Sequence, residues 1–148
     1  MLPRLKFARM GSFFAFVLSE EAHEEQKAVE RINALAADTV SFFDQFRAAP
    51  SAQEIARRHP HRLSSRQRTL LAQWGYPYVF DEYRFHITLT DRLCESTEAY
   101  ALEESLRVYF ASLCNESMVV SGICICKQRL HDTDCEFMLL KRLRFQKD

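Results

Sequence analysis

Arg84-Phe85-His86-Ile87-Thr88-Leu89-Thr90 alternates polar and apolar residues without a break. Side chains along a β-strand point to opposite faces in turn, so Phe85, Ile87 and Leu89 form one apolar face while Arg84, His86, Thr88 and Thr90 share the other. One face packs and the other is free to work. A guanidinium, an imidazole and hydroxyls spaced about 7 Å apart along one face suit a phosphate, and histidine also moves a proton near neutral pH. The same alternation equally describes a half-buried strand whose polar face simply meets solvent.

Just upstream, Tyr76-Pro77-Tyr78-Val79-Phe80 reads as a turn leading into this strand. Before it come two short helices, each announced by a capping box, Ser51-Ala52-Gln53-Glu54 and Ser64-Ser65-Arg66-Gln67, with Pro60 between them. Leu70, Leu71 and Trp74 give the second helix its buried side, and Gly75 stands where a C-cap belongs. Arg57, Arg58, His59, His61, Arg62, Arg66 and Arg68 make a local basic cluster with no acid among them. Such a cluster either draws in a phosphorylated ligand or forms a solvated helical face.

The chain opens with two strands, Leu5 to Arg9 and Ser12 to Leu18, broken at Gly11. Ser19 offers an N-cap, and Glu20, Glu21, Glu24 and Glu25 crowd the first turns of a helix, where its dipole favours negative charge. Val29, Ile32, Ala36, Val40 and Phe43 follow at steps of three and four. This spacing predicts a long amphipathic helix over 20–46 that ends before Pro50. Beyond the histidine strand, Ser96 or Thr97 caps a helix carrying Ala99, Leu102, Leu106, Tyr109, Phe110 and Leu113. Two strands, Met118 to Lys127 and Glu136 to Phe145, finish the chain around a polar loop at His131-Asp132-Thr133-Asp134. This order of elements predicts an α+β fold with a mainly antiparallel sheet and helices packed on one face.

Composition bounds the reading. The 148 residues suit a single domain, 1–148, and 47% apolar with 27% charged residues is ordinary for a globular protein. Twenty basic residues balance twenty acidic ones, so no bulk field attracts nucleic acid or an anionic membrane, and any anion site must be local. The five cysteines lie mostly in apolar sequence, which suits buried thiols in a reducing compartment. Cys124-Ile125-Cys126 lacks the spacer of a redox motif and has no second pair at zinc-site spacing, so no metal is expected. The basic N-terminus before Phe13-Phe14-Ala15-Phe16-Val17-Leu18 looks superficially like a signal peptide. The apolar run is too short, and Glu20-Glu21 stands where a cleavage site would lie. No stretch is long enough to span a bilayer, and the expectation is a cytoplasmic protein. Phosphate-loop, dinucleotide and hydrolase-elbow patterns are absent.

Trp74-Gly75-Tyr76-Pro77-Tyr78-Val79 followed by Phe85-His86-Ile87-Thr88-Leu89-Thr90 resembles the 2H phosphoesterase superfamily, named for its two His-x-Thr/Ser motifs. Gly11-Ser12-Phe13-Phe14-Ala15-Phe16-Val17 and Phe43-Asp44-Gln45-Phe46-Arg47-Ala48 extend the likeness to the bacterial branch found beside phosphonate-utilisation genes. The resemblance implies a metal- and cofactor-free phosphoesterase acting on a small, often cyclic, phosphodiester. Two lobes each bring one histidine strand to a shared cleft. Carried onto this chain, His86 takes an acid/base role and Thr88 the phosphate contact, with Arg84, Thr90, Tyr78 and Arg47 as substrate-binding residues.

The chain matches one lobe of that arrangement, the C-terminal one. The expectation is therefore a natural truncation or fragment whose partner is the missing N-terminal lobe or a second copy, with the sheet edge between lobes prone to self-association. His131-Asp132-Thr133 repeats the motif in a loop rather than a strand and is set aside. Two other readings stand beside the enzyme lobe. One is a non-catalytic module that holds a phosphorylated ligand; the other is an RNA-end enzyme, to which the neutral net charge gives no support.

Overall fold

In a computed structural model, which describes residues 3–114, 116–117, 119–128 and 136–146, the first three strands form one antiparallel sheet in the order β1-β2-β3. β1 (Leu5–Met10) and β2 (Phe13–Leu18) pair from Leu5↔Leu18 to Met10↔Phe13 around Gly11, whose φ of 60° is the left-handed conformation a tight turn asks of glycine. That register puts Leu5, Phe7, Phe14, Phe16 and Leu18 on one face, and all of them are buried. Ile32 and Val29 of α1 (His23–Phe43) pack there, as do Leu106 of α4 (Thr97–Tyr109) and Phe110 beyond it, whose ring meets Phe16 edge-on at 5.0 Å. The predicted α+β architecture with antiparallel sheets is the one observed.

The long helix begins later than its acidic run suggested. Ser19 does not cap it: the N-cap is Ala22, and Glu25 folds back so that one carboxylate oxygen accepts from the Glu21 and Ala22 N–H groups and from the Ser19 hydroxyl at 2.7 Å. A buried serine hydroxyl thus satisfies a helix acid rather than a helix amide. The Ser19 hydrogen bond and the Arg4 guanidinium hold the Glu25 carboxyl at about 2, below its ordinary 4.5. A depressed folded-state value means that this contribution to stability is complete above about 4.5 and is lost as the pH falls toward about 2. Thermal unfolding followed from pH 6 downward is expected to show a decline that Glu25→Gln removes; an identical decline in that variant would contradict the assignment.

Both predicted capping boxes are present. Ser51 and Glu54 open α2 (Ala52–Arg57), and Ser64 and Gln67 open α3 (Ser65–Trp74). Gly75 closes α3 with φ 72°, and a Cβ there would crowd Arg47 Nη1 at 3.1 Å as well as strain the backbone. The helix after Ser96 also forms, but it breaks at Phe110 before a short α5 (Ala111–Cys114).

The histidine strand is shorter than its alternation implied. Only Ile87–Thr88 pair as β3, through Phe16↔Ile87 and Ala15↔Thr88; one more ladder bond runs from Leu89 N–H to Phe14 O at 2.9 Å. Phe85 and Leu89 pack toward the core as predicted, whereas Ile87, on a strand that is a sheet edge among the described residues, is 41% exposed.

The described residues from Val119 onward form a second compact unit, an antiparallel ribbon of β4 (Gly122–Lys127) and β5 (Met138–Arg144) with a bulge between Ile125 and Cys126. The expectation of buried thiols is not met. Cys94, Cys124 and Cys126 are exposed, Cys114 is half-buried, and all four are free.

Among the described residues no helix is long and apolar enough to cross a membrane, and no group of three or more His, Cys, Asp or Glu side chains is placed to hold a metal ion.

Candidate functional site

His86 is exposed on the wall of a cavity of about 670 Å³ lined by the β1–β2 turn, the tyrosine-rich segment and the start of the histidine strand. The cavity is assembled in steps from α3. Arg66 grips the Asp81 carboxylate through two nitrogens, with Nε 2.9 Å from Oδ2, and these hydrogen bonds hold that carboxyl below the usual range. The next side chain along, Gln67, donates to Glu82 at 2.9 Å while its amide oxygen caps Ser64 N–H. These two contacts fix the short 3-10 turn at Phe80–Glu82, which Phe80 enters at φ 53° with its ring against Trp74. A left-handed phenylalanine is strained by about 1–2 kcal/mol and persists where its surroundings hold it.

From that turn the arrangement passes to the histidine through the backbone. Arg84 Nη1 donates to the carbonyls of Asp81 at 3.0 Å and Tyr83 at 2.7 Å, and the Arg84 carbonyl lies 2.8 Å from His86 Nδ1. A carbonyl can only accept, so Nδ1 carries the proton and Nε2 keeps its lone pair in the neutral ring. The ring leans on Phe13 at 5.9 Å between centroids, which limits its rotation. An imidazole fixed on one nitrogen and open on the other is the form a general base requires.

Of the residues expected at the site, Arg84, Tyr78 and His86 line the cavity together. Thr88 is exposed on the same strand, opposite Ala15. Thr90 is used by the fold, its hydroxyl accepting from Phe14 N–H at 3.0 Å where the ladder would otherwise end. Arg47 is not part of the lining; it bonds Asp44 at 2.6 Å and the Gln73 carbonyl at 3.1 Å, pinning the end of α1 to the end of α3. His131 and Thr133 lie outside the described residues.

The basic cluster does not act as one patch. Arg66 is paired with Asp81, Arg68 bonds the Leu63 carbonyl and Ser65, and the His59 and His61 rings contact each other at 5.9 Å. Arg58 alone reaches the cavity rim, its guanidinium 4.7 Å above the Tyr76 ring. Sequence reasoning missed Arg92, Tyr83 and Phe13 as lining residues. Arg92 lies beyond the alternating stretch; the bond from Leu93 N–H to Ser12 O, 2.6 Å long, and the packing of Leu93 against the core bring its segment back to the β1–β2 turn.

Comparison with known proteins gives partial likenesses. Over 86 residues, 57% of this chain, the sequence is 37% identical to a protein of Janthinobacterium sp. (strain Marseille) named ribose 1,5-bisphosphate phosphokinase PhnN. A protein of the same name from Laribacter hongkongensis (strain HLHK9) is 58% identical over 33 residues, or 22% of the chain. The matched segments are 19% and 8% of those proteins' lengths, so the chain spans only a small part of either. No solved structure matches it. A family described as "Protein of unknown function (DUF1045)" matches residues 1–136, nearly the whole chain, and the protein belongs to that family.

Proposed function

We propose that this chain carries one acid/base wall of a 2H-type phosphoesterase acting, without a metal, on a small cyclic phosphodiester of a phosphorylated sugar. The observation that carries the reading is His86, held at Nδ1 by a backbone carbonyl and open at Nε2 on a cavity that also contains Arg84 and Arg92. In hydrolysis of a cyclic phosphodiester the water oxygen bonds to phosphorus and one ester P–O bond breaks. One proton leaves the water and another reaches the departing sugar oxygen. His86 serves one of these transfers, and the guanidinium forks carry the charge that builds on the phosphoryl oxygens. The other transfer falls to a second acid/base group, which the resemblance assigns to a His-x-Thr/Ser strand of another lobe.

The relatives' names support a sugar phosphate as substrate and, with the resemblance to the phosphonate-associated branch, a role in phosphonate metabolism. Their kinase activity is not carried over, because the matched segments are minor parts of those proteins. A cyclic phosphate of ribose 5-phosphate opened by water would yield a ribose bisphosphate, the kind of compound those names contain.

Phosphorus NMR of the chain with a ribose cyclic phosphate tests the reading. The cyclic signal is expected to shift on binding and to be replaced by a monoester signal that histidine reagents suppress. Neither a shift nor turnover, with the chain folded, would overturn it. Binding without turnover would favour the second reading, a non-catalytic phosphate-binding module, for which the paired arginines in a one-histidine cavity already speak.

A further inference from the structure

The ribbon of β4 and β5 has a surface of one charge sign. Its strands carry Lys127, Lys141, Arg142 and Arg144 and no acid, and none of these side chains forms a hydrogen bond or ion pair with another described residue. The register gives the reason for the arginines. Arg144 stands opposite Gly122 and Arg142 opposite Cys124, so the two guanidiniums share one face and meet only small, uncharged neighbours across the ladder. Gly122 is needed there, because a Cβ would run into the Leu143 carbonyl. Leu143, between the arginines, turns to the other face opposite Ile123. Met138, Leu139 and Leu140 are each more than half exposed, and among the described residues no strand pairs with the outer edge of β5. A two-stranded ribbon is at best marginally stable in water. A third strand along such an edge completes its hydrogen bonds and shelters its apolar residues.

We infer that β5 is a docking edge for an extended acidic segment of a partner protein, which adds to the ribbon as a third strand. Along Arg142-Leu143-Arg144 the matching partner sequence reads acidic, apolar, acidic. Its carboxylates lie beside the two guanidiniums on one face, and its apolar side chain lies beside Leu143 on the other. Main-chain bonds give such an edge its affinity, and the arginine pair decides which strand it accepts. β5 is favoured over β4 because it holds three of the four cations. A second copy paired through the same edge would bring three more cations and no acid, so charge complementarity selects a different, acidic partner. None of these residues lines the His86 cavity, so docking here does not depend on phosphoester chemistry.

Fluorescence anisotropy of the full chain with a labelled peptide alternating glutamate and valine tests this, against the same peptide with glutamine in place of glutamate. The acidic peptide is expected to bind at least about tenfold tighter, as two charged cross-strand pairs imply, and to slow amide hydrogen exchange most strongly in 138–144. In the double variant Arg142→Glu with Arg144→Glu the preference should pass to a peptide alternating lysine and valine, a result that an unfolded ribbon cannot give. The milder pair Arg142→Gln with Arg144→Gln should bind the acidic and neutral peptides alike. Arg31→Glu, at an exposed position on α1, should keep the native preference and so exclude a bulk charge effect. Equal affinity of the native chain for both peptides, no binding of either, exchange protection elsewhere than β5, or a preference that survives in the glutamine pair or disappears in Arg31→Glu overturns the docking edge. Sedimentation showing a dimer with the same amides protected, or tighter binding of oligodeoxythymidylate or of phosphatidylserine vesicles than of the acidic peptide, overturns it in favour of a second copy, a nucleic acid or a membrane.

Discussion

His86→Ala is expected to lower kcat/KM for a cyclic phosphodiester by about 10²–10⁴-fold, the usual contribution of one positioned acid/base group. The loss should fall on kcat rather than KM. On the proposed reading the ground-state contacts to the phosphate are made by arginines of the lining, which the substitution leaves in the cavity. The unfolding midpoint should barely move, because the imidazole is exposed and its one hydrogen bond is to a carbonyl that solvent can also reach. Rates are best measured on an assembly that is active with native His86, so that the second acid/base group is present in both samples. Unchanged kcat in the variant would remove His86 from the chemistry. A raised KM with kcat intact would make it a binding residue.

The largest effect on stability is expected from Phe14→Ala. Phe14 is 1% exposed, its ring lies 5.4 Å from that of Phe7, and its backbone bonds to Leu89 at the end of the neighbouring histidine strand. Truncating a buried phenylalanine costs about 3–5 kcal/mol, a large share of the about 5–15 kcal/mol that holds a domain of this size together. Urea unfolding should show this as a lower midpoint. Phe14→Leu should cost less, because most of the volume is kept. Phe46, 72% exposed, gives the contrast: its replacement by alanine should change stability by less than about 0.5 kcal/mol. A Phe14→Ala loss no larger than the Phe46→Ala one would mean that the core is not centred on β2.

The elements that sequence reasoning located best are those whose signals are local. A capping box closes within four residues, so Ser51 with Glu54 and Ser64 with Gln67 could be read directly. Gly75 followed from helix length and the demand for a left-handed residue. The Ser19 cap was misplaced because a serine before an acidic run fits two arrangements. The choice went to Glu25, whose carboxylate serves two amides and a hydroxyl at once. The strand through His86 was overextended for a related reason. Alternation fixes which face a side chain takes, but the number of ladder bonds depends on how far β2 runs beside it.

The sequence by itself determined the α+β class, the order of the elements, and the presence on one short stretch of an arginine and a histidine two residues apart. Those properties follow from residue type and spacing, which act over a turn or a strand. Tertiary structure alone decided that Arg47 is a strut, that Thr90 ends a ladder, and that Arg66 and Gln67 hold the turn from which His86 is aimed. It also brought Arg92 to the cavity, next to a Leu93 that bonds Ser12, eighty-one residues away in the chain, and packs against the core. No local pattern carries such contacts, because they exist only once the sheet has closed and set distant side chains against one another.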